Sequence, residues 1–281
     1  MGKKSRRKVK VVKEQMPYVA RTFGGLPGEC DLIALREMVP SATATIRLTD
    51  SDRVVRLCSL LPGAAPGIVR PDGEIWVGLQ VAHNFGDISR DLAHVVELGL
   101  ETQPGNPIQM NDPGVGPRLQ DLVDDSAPFE VEVHQGFDFW IEGTETSDDD
   151  AGILDAANDT VDPTERLKSV DAAYWTVIGG RTFLRWIMPE DETVLLNALA
   201  RLHVRGESSL GEGNRLIGMF RAHALLVPVW ELPAGVTAAD VEQPAADFKK
   251  RLDAALADET PLTPEERSAK SGLANRQLTI R

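Results

Sequence analysis

Residues 173–188, AYWTVIGGRTFLRWIM, contain two apolar runs on either side of a glycine pair at positions 179 and 180. Both runs are rich in aromatic and β-branched side chains, which favour strands. Two consecutive glycines readily supply the positive φ angles that a two-residue hairpin turn requires. The stretch therefore predicts an antiparallel hairpin, and our assignment of the fold class starts from it.

Other stretches predict further strands. ATATIRL (42–48) and RVVRLCSLL (53–61) alternate in polarity around the turn residues Asp50, Ser51 and Asp52, so they predict a second hairpin near the start of the chain. The remaining strand candidates are EIWVGLQVA (74–82), FEVEVHQ (129–135), FDFWI (137–141) and GMFRAHALLVPVWEL (218–232), of which the last forms one strand or two.

Helical spacing separates these strand candidates at irregular intervals. The predicted helices are CDLIALREM (30–38), residues 87–100 with Asp87 as the N-cap, a short helix at 119–123, residues 191–203, and PAADFKKRLDAALAD (244–258). Thr263 to Glu266 has the pattern of a capping box that opens one more helix. Hairpins interspersed with helices predict an α+β fold with a mostly antiparallel sheet, and they exclude the strict alternation of a doubly wound nucleotide-binding fold.

The same features divide the chain into five predicted segments. They are a disordered basic tail (1–15), an N-terminal α+β half (16–141), an acidic linker or flap (142–166), a C-terminal α+β half (167–258) and a peripheral helical arm (259–281). A strand, a polar turn, an aspartate and a helix follow one another in both halves. This similarity could record an internal duplication, and coincidence explains it equally well.

Charge is distributed very unevenly along the chain. The opening MGKKSRRKVKVVK has seven basic residues and no acidic one, whereas residues 14–281 contain the other 23 basic side chains and all 43 acidic ones, a formal net charge of −20. An acidic body repels polyanions, so affinity for RNA must come from the tail or from a local basic patch. The predicted nucleic-acid-binding residues are Lys3, Lys4, Arg6, Arg7, Lys8, Lys10 and Lys13.

Motifs for catalysis and cofactor binding are missing from the sequence. There is no phosphate-binding loop, no dinucleotide fingerprint and no nucleophile elbow. The histidines, His83, His94, His134, His203 and His223, show no metal-ligand spacing. His223, in an apolar setting, could be a hydrogen-bonded core residue or a catalytic base. We predict no metal and no cofactor.

A few isolated residues allow further predictions. Cys30 and Cys58 lie in apolar stretches, which favours two buried free thiols over a disulfide or a zinc ligand. The run Asp148-Asp149-Asp150 lacks the glycine and the closing glutamate of an EF-hand loop, so we interpret it as part of a solvated flap. One short helix carries four charged residues, which form either a functional face or its solvent-exposed side: Glu29, Asp31, Arg36 and Glu37.

No targeting or membrane signal accompanies these features. The residues after the basic start lack the apolar run of a signal peptide, and the longest apolar run, ALLVPVW, is too short to span a bilayer. We therefore expect a cytoplasmic protein that does not bind membranes.

LPGECDLIALREMVPSATATIRL (26–48), together with MGKKSRRK (1–8) and GMFRAHALLVPVWELP (218–233), resembles an actinobacterial family of conserved proteins of unknown function. The likeness extends from the tail to the helix near Ala255. It implies cytoplasmic residence in a GC-rich Gram-positive bacterium and a lysine-rich start before one domain of conserved length. It supplies no catalytic residues.

Three functions compete at this point. The first is a non-enzymatic binding protein whose tail contacts RNA or the ribosome, although a solubilising arm without a specific function explains the tail equally well. The second is a protein-interaction or assembly factor that uses its acidic body, with segment 142–165 or the last helix as the docking element. The third is an enzyme on an unfamiliar α+β scaffold, which requires His83, His134 or His223 to share a cavity with a carboxylate.

Overall fold

A computed structural model describes residues 17–143 and 148–276 of the chain. The predicted tail, 1–15, lies outside these ranges. Within them the chain forms two sheets, six α-helices and three short 3-10 helices, as the α+β assignment requires. The fold class predicted from the sequence is confirmed.

The first sheet lies in the N-terminal half. Its strands are β1 (Ala42–Ile46), β2 (Val55–Cys58), β3 (Gly67–Val69), β4 (Ile75–Gly78), β5 (Pro107–Ile108) and β6 (Val131–Val133). Their order across the sheet is β5-β3-β4-β2-β1-β6. All neighbours are antiparallel except β2 and β4, which run parallel. The predicted hairpin of β1 and β2 is confirmed.

The second sheet is antiparallel throughout. Its strands are β7 (Thr164–Arg166), β8 (Ala173–Ile178), β9 (Arg181–Trp186), β10 (Arg215–Ala222) and β11 (Leu225–Leu232), in the order β10-β11-β9-β8-β7. Strands β8 and β9 pair from Ala173 opposite Trp186 to Ile178 opposite Arg181, with Gly179 and Gly180 at the turn in positive φ. The hairpin predicted from residues 173–188 is therefore confirmed.

The α-helices are α1 (Glu29–Glu37), α2 (Ile88–Glu101), α3 (Asp148–Asn158), α4 (Glu192–Val204), α5 (Ala238–Leu256) and α6 (Pro264–Ala274). The 3-10 helices span Pro62–Ala64, Leu119–Asp121 and Asp138–Trp140. None of the helices in the described ranges is long and apolar enough to cross a membrane.

The second sheet is buried on both faces because its strands alternate between two cores. Leu226 and Trp230 of β11 pack with α4, α5 and α6, whereas Val227 and Val229 face α1, α2 and the first sheet. The core between the sheets thus contains residues from both halves of the chain. Helix α1 supplies Leu32 to it, so α1 is positioned by both sheets at once.

Two local predictions were wrong. FDFWI forms the 3-10 helix Asp138–Trp140 instead of a strand, because its aromatic rings pack into a separate small core with Trp76. Asp87 occupies the N-cap position of α2, as predicted, but its side chain makes no capping hydrogen bond, because its carboxylate accepts from Arg118 at 2.9 Å.

The second wrong prediction concerns α2, whose sequence predicts a polar face with His94 exposed to solvent beside Asp91. Asp91 is buried, and its Oδ2 accepts the backbone N–H of Phe85 at 2.8 Å. His94 is half-buried and lies 2.7 Å from the side-chain oxygen of Asn111.

Two segments contain more structure than their composition indicated. The acidic stretch 142–166 includes helix α3 and strand β7, and Asn158 at the end of α3 accepts the N–H of Phe137 at 2.6 Å. Near the C-terminus, α6 begins with the predicted capping box of Thr263 and Glu266. Leu273 of α6 is buried in the core beside α4.

Candidate functional site

An acidic cleft of about 730 Å³ opens at the N-terminal end of α1. A volume of several hundred cubic ångströms is typical of small-molecule and peptide-anchor sites. The start of α1, the loop before β8, the segment after β9 and helix α5 form its walls. We refer to this cavity as the acidic cleft.

Gly28 fixes the start of α1 at one wall of the cleft. Its φ of 66° lies in the left-handed region, which glycine adopts without steric cost. A Cβ atom at this position would come within 2.0 Å of the Phe129 ring. Only glycine therefore lets the chain turn into α1 while Phe129 lines the same wall.

Asp31 anchors α1 to the second sheet from inside this region. Its carboxylate accepts from Arg166 at 2.9 and 3.0 Å and from the hydroxyl of Tyr174 at 2.6 Å. The hydrogen bond to Asp31 raises the pKa of Arg166, and burial together with the Asp31 charge raises the pKa of Tyr174. Both partners keep their protons at neutral pH, so this cluster is a structural anchor.

Arg21 stands at the rim of the cleft. It pairs with Glu29 at 2.6 Å and donates to the carbonyl of Pro189 at 3.2 Å, and both of these residues line the cleft. The hydrogen bond to Glu29 is the main cause that raises the pKa of Arg21, and Glu190 adds to the effect. Residues 17–21 therefore enter the fold beside the acidic groups.

Carboxylates dominate the remaining charge in the cleft. Glu190 lines it with an Oε2 atom that is shielded from solvent and has no hydrogen-bond partner. Asp171 at the mouth is fully exposed and lies 3.6 Å from Arg166. Lys249 reaches the cleft from α5 but pairs with Asp253 on its own helix. The cleft therefore favours a cationic group.

Cys30 lies in the same wall without the properties of a nucleophile. Burial, reinforced by the charges of Glu29 and Asp31, raises the pKa of the Cys30 thiol to about 12. Only the thiolate is strongly nucleophilic, so at neutral pH this side chain is inert. Cys58 is buried and its thiol pKa is also about 12, so both cysteines are the free thiols we predicted.

A second polar cluster surrounds His223 at the opposite end of α1. Its Nδ1 lies 2.8 Å from the hydroxyl of Thr22, and its Nε2 lies 2.9 Å from a carboxylate oxygen of Glu37. Phe23 packs against the ring with a centroid distance of 5.3 Å. The hydrogen bond from His223 lowers the pKa of Glu37.

The backbone at His223 occupies an uncommon conformation. His223 and Ala224 form the turn between β10 and β11 with φ of 49° and 67°, a region that residues with a Cβ rarely adopt. Both ring nitrogens of His223 are engaged, which agrees with the hydrogen-bonded interpretation of this residue.

The other histidines lie apart from one another. His83 is exposed, His134 lies 2.9 Å from the Thr43 hydroxyl and packs against Phe139, and His203 lies 3.3 Å from the Ser208 hydroxyl. Within residues 17–143 and 148–276, no group of three or more histidines, cysteines or acids is arranged to hold a metal ion.

The structure describes only some of the residues that the sequence predicted as functional. Lys3, Lys4, Arg6, Arg7, Lys8, Lys10 and Lys13 lie outside the described residues, as do the side chains of Asp148, Asp149 and Asp150. The acidic residues of α1 belong to two different sites. Glu29 and Asp31 line the acidic cleft, whereas Glu37 binds His223. Sequence reasoning missed Glu190 and Arg166, which reach the cleft from distant parts of the chain.

The fold is that of an α+β protein with two sheets covered by helices. The residues that line the acidic cleft do not form a recognisable catalytic arrangement. Residues 22–281 match the model of a family of unknown function, DUF5926. The chain therefore belongs to this family, as the resemblance in the sequence indicated. Searches of the curated proteins and of the solved structures find no match.

Proposed function

We propose that this chain is a non-enzymatic binding protein that contacts RNA, with the ribosome as the main target, through the basic residues of segment 1–13. The observation that carries the proposal is the charge partition, with seven basic residues in that segment and a net charge of −20 on the rest. The segment has no aromatic residue for base stacking, so it would bind phosphates without reading sequence.

The body supports this assignment because many of its arginines are engaged in intramolecular contacts. Arg118 and Arg166 pair with aspartates, and Arg221 pairs with Glu192. Arg53 and Arg70 donate to backbone carbonyls instead. Guanidinium groups held in this way have little capacity left for phosphates, which leaves the N-terminal segment as the source of affinity for a polyanion.

Co-sedimentation with purified ribosomes at about 50 and 200 mM salt tests the proposal. Seven phosphate contacts give a log–log salt dependence of about −5 to −6. The variant Lys8→Gln should lower the magnitude of that slope by about 0.7 to 0.9, because one counterion fewer is released. The matched control is Lys250→Gln on α5, whose side chain is 75% exposed, and it should leave the slope unchanged. Salt-independent sedimentation, or none, would contradict RNA contact.

A protein partner for the acidic body is the second candidate function. The acidic cleft favours it, because a cavity with an unpartnered carboxylate oxygen suits a lysine or arginine side chain. Binding of this kind would persist after nuclease treatment, whereas binding through RNA would not. The enzyme alternative has the least support, since both ring nitrogens of His223 are already occupied by Thr22 and Glu37.

A further inference from the structure

The described part of the chain begins next to the acidic cleft. Arg21 contacts Glu29 and Pro189 on the rim, and Lys13 stands eight positions before it in the chain. Eight extended residues span at most about 28 Å, which is more than the width of a cavity of this size. The basic segment 3–13 is therefore tethered within reach of the cleft, at high effective concentration.

The carboxylates of the cleft favour a cationic ligand. The shielded Oε2 atom of Glu190 has no partner, and a buried polar atom without one is costly. Asp171 adds a fully exposed carboxylate at the mouth. Glu190 as a whole is part-exposed in the lining, so an ammonium or guanidinium group in the cleft can pair with its carboxylate, and rotation of that carboxylate would bring the unpartnered oxygen to the donor.

The shape of the cleft also suits long basic side chains. Apolar residues also line the cleft, and of these Phe129 is part-exposed whereas Ile187 and Leu252 are buried beneath the surface. Lysine and arginine bury their aliphatic stems against apolar surface while the charged head meets a polar group.

We propose that the acidic cleft binds the ammonium and guanidinium groups of this chain's own segment 3–13. Segment 3–13 then has two mutually exclusive partners, the cleft and RNA, so the cleft weakens RNA contact until RNA displaces the segment. The docking stands on the cleft and on the charge of the segment, whereas the competition rests on the proposed function.

Limited trypsin digestion of the full chain tests the docking, because trypsin cleaves after the lysines and arginines of segment 3–13. At about 50 mM salt, Glu190→Gln should speed cleavage within the segment by about fivefold, the loss expected for one hydrogen bond of ordinary net strength. Asp171→Asn should speed it about twofold, as expected for an exposed charge, and it leaves the core untouched. The control Glu212→Gln, in an exposed loop away from the cleft, should match the wild type. About 500 mM salt should remove the differences, since it screens exposed charges.

Equal cleavage rates for the wild type, Glu190→Gln and Asp171→Asn would overturn the docking and leave a basic segment of another protein as the occupant to test. Ribosome binding separates the two proposals. If Glu190→Gln also tightens RNA binding by about fivefold, both hold. Faster digestion without RNA binding in any variant would sink the proposed function alone. RNA binding with unchanged digestion would sink the docking alone.

Discussion

The two ends of helix α1 are held to the second sheet by different chemistry. At the start, Asp31 accepts from Arg166 and Tyr174, whose charge state is constant over the physiological pH range. At the end, Glu37 pairs with His223, and this hydrogen bond lowers the pKa of the Glu37 carboxylate. The comparison shows that a single nine-residue helix can carry one permanent and one pH-dependent attachment. Three substitutions test it.

The largest effect is expected at the start of the helix. Asp31→Ala leaves the Tyr174 hydroxyl buried without a partner and Arg166 without its main counter-charge, so it should lower the free energy of unfolding by about 3 kcal/mol. Urea unfolding measures this. The control is Asp171→Ala, which removes an exposed carboxylate 3.6 Å from the same Arg166 and should cost less than about 0.5 kcal/mol. Similar losses for the two variants would show that Asp31 does not anchor the helix.

The end of the helix should respond less strongly. His223→Asn keeps a residue type that tolerates positive φ and removes the bonds to Thr22 and Glu37, at a cost of about 1 kcal/mol. Glu37 has a lowered pKa in the folded chain, so its contribution is fully present above its ordinary pKa of 4.5 and is lost as the pH falls through the folded value.

The pH dependence sharpens this prediction, because the gap in unfolding free energy between the wild type and His223→Asn should shrink below about pH 4. Urea midpoints at pH 6, 5, 4 and 3 measure the gap. A gap that stays constant over this range would mean that the Glu37 contact does not contribute to stability.

The smallest effect has the opposite sign. Ala224 has a φ of 67°, and Ala224→Gly should relieve that strain and raise the free energy of unfolding by about 0.5 kcal/mol after the entropy cost of glycine. Ala257→Gly, at a residue with a φ of −74°, carries the same entropy cost without any relief and should destabilise the chain. Destabilisation by Ala224→Gly would mean that the turn holds His223 without strain.

Local patterns were sufficient to predict most elements but few contacts. The hairpin at 173–188 was correct because its strands and its turn are adjacent in sequence, and the capping box at Thr263 is equally local. FDFWI failed because its aromatic residues find their partner, Trp76, in a distant strand. The burial of Asp31 follows from Arg166, which is 135 residues away, and no periodicity within α1 records that distance.

The candidate site was predicted only in part, because its residues come from distant parts of the chain. The local charge pattern of α1 correctly singled out Glu29, Asp31, Arg36 and Glu37 as a crowded set of charges. It could not show that Glu29 and Asp31 face a cavity while Glu37 faces His223, because the other walls come from residues after position 160. Such a division needs the tertiary fold.

The shared core between the two sheets has a consequence for the synthesis of the protein. The apolar side chains of the first sheet are covered partly by Val227 and Val229 of β11, which leave the ribosome about 90 residues after the last strand of that sheet. At about 5 to 20 residues per second, the first sheet waits roughly 5 to 18 seconds for its cover. During that interval the nascent chain exposes apolar surface, and its N-terminal half is the part that a chaperone would bind.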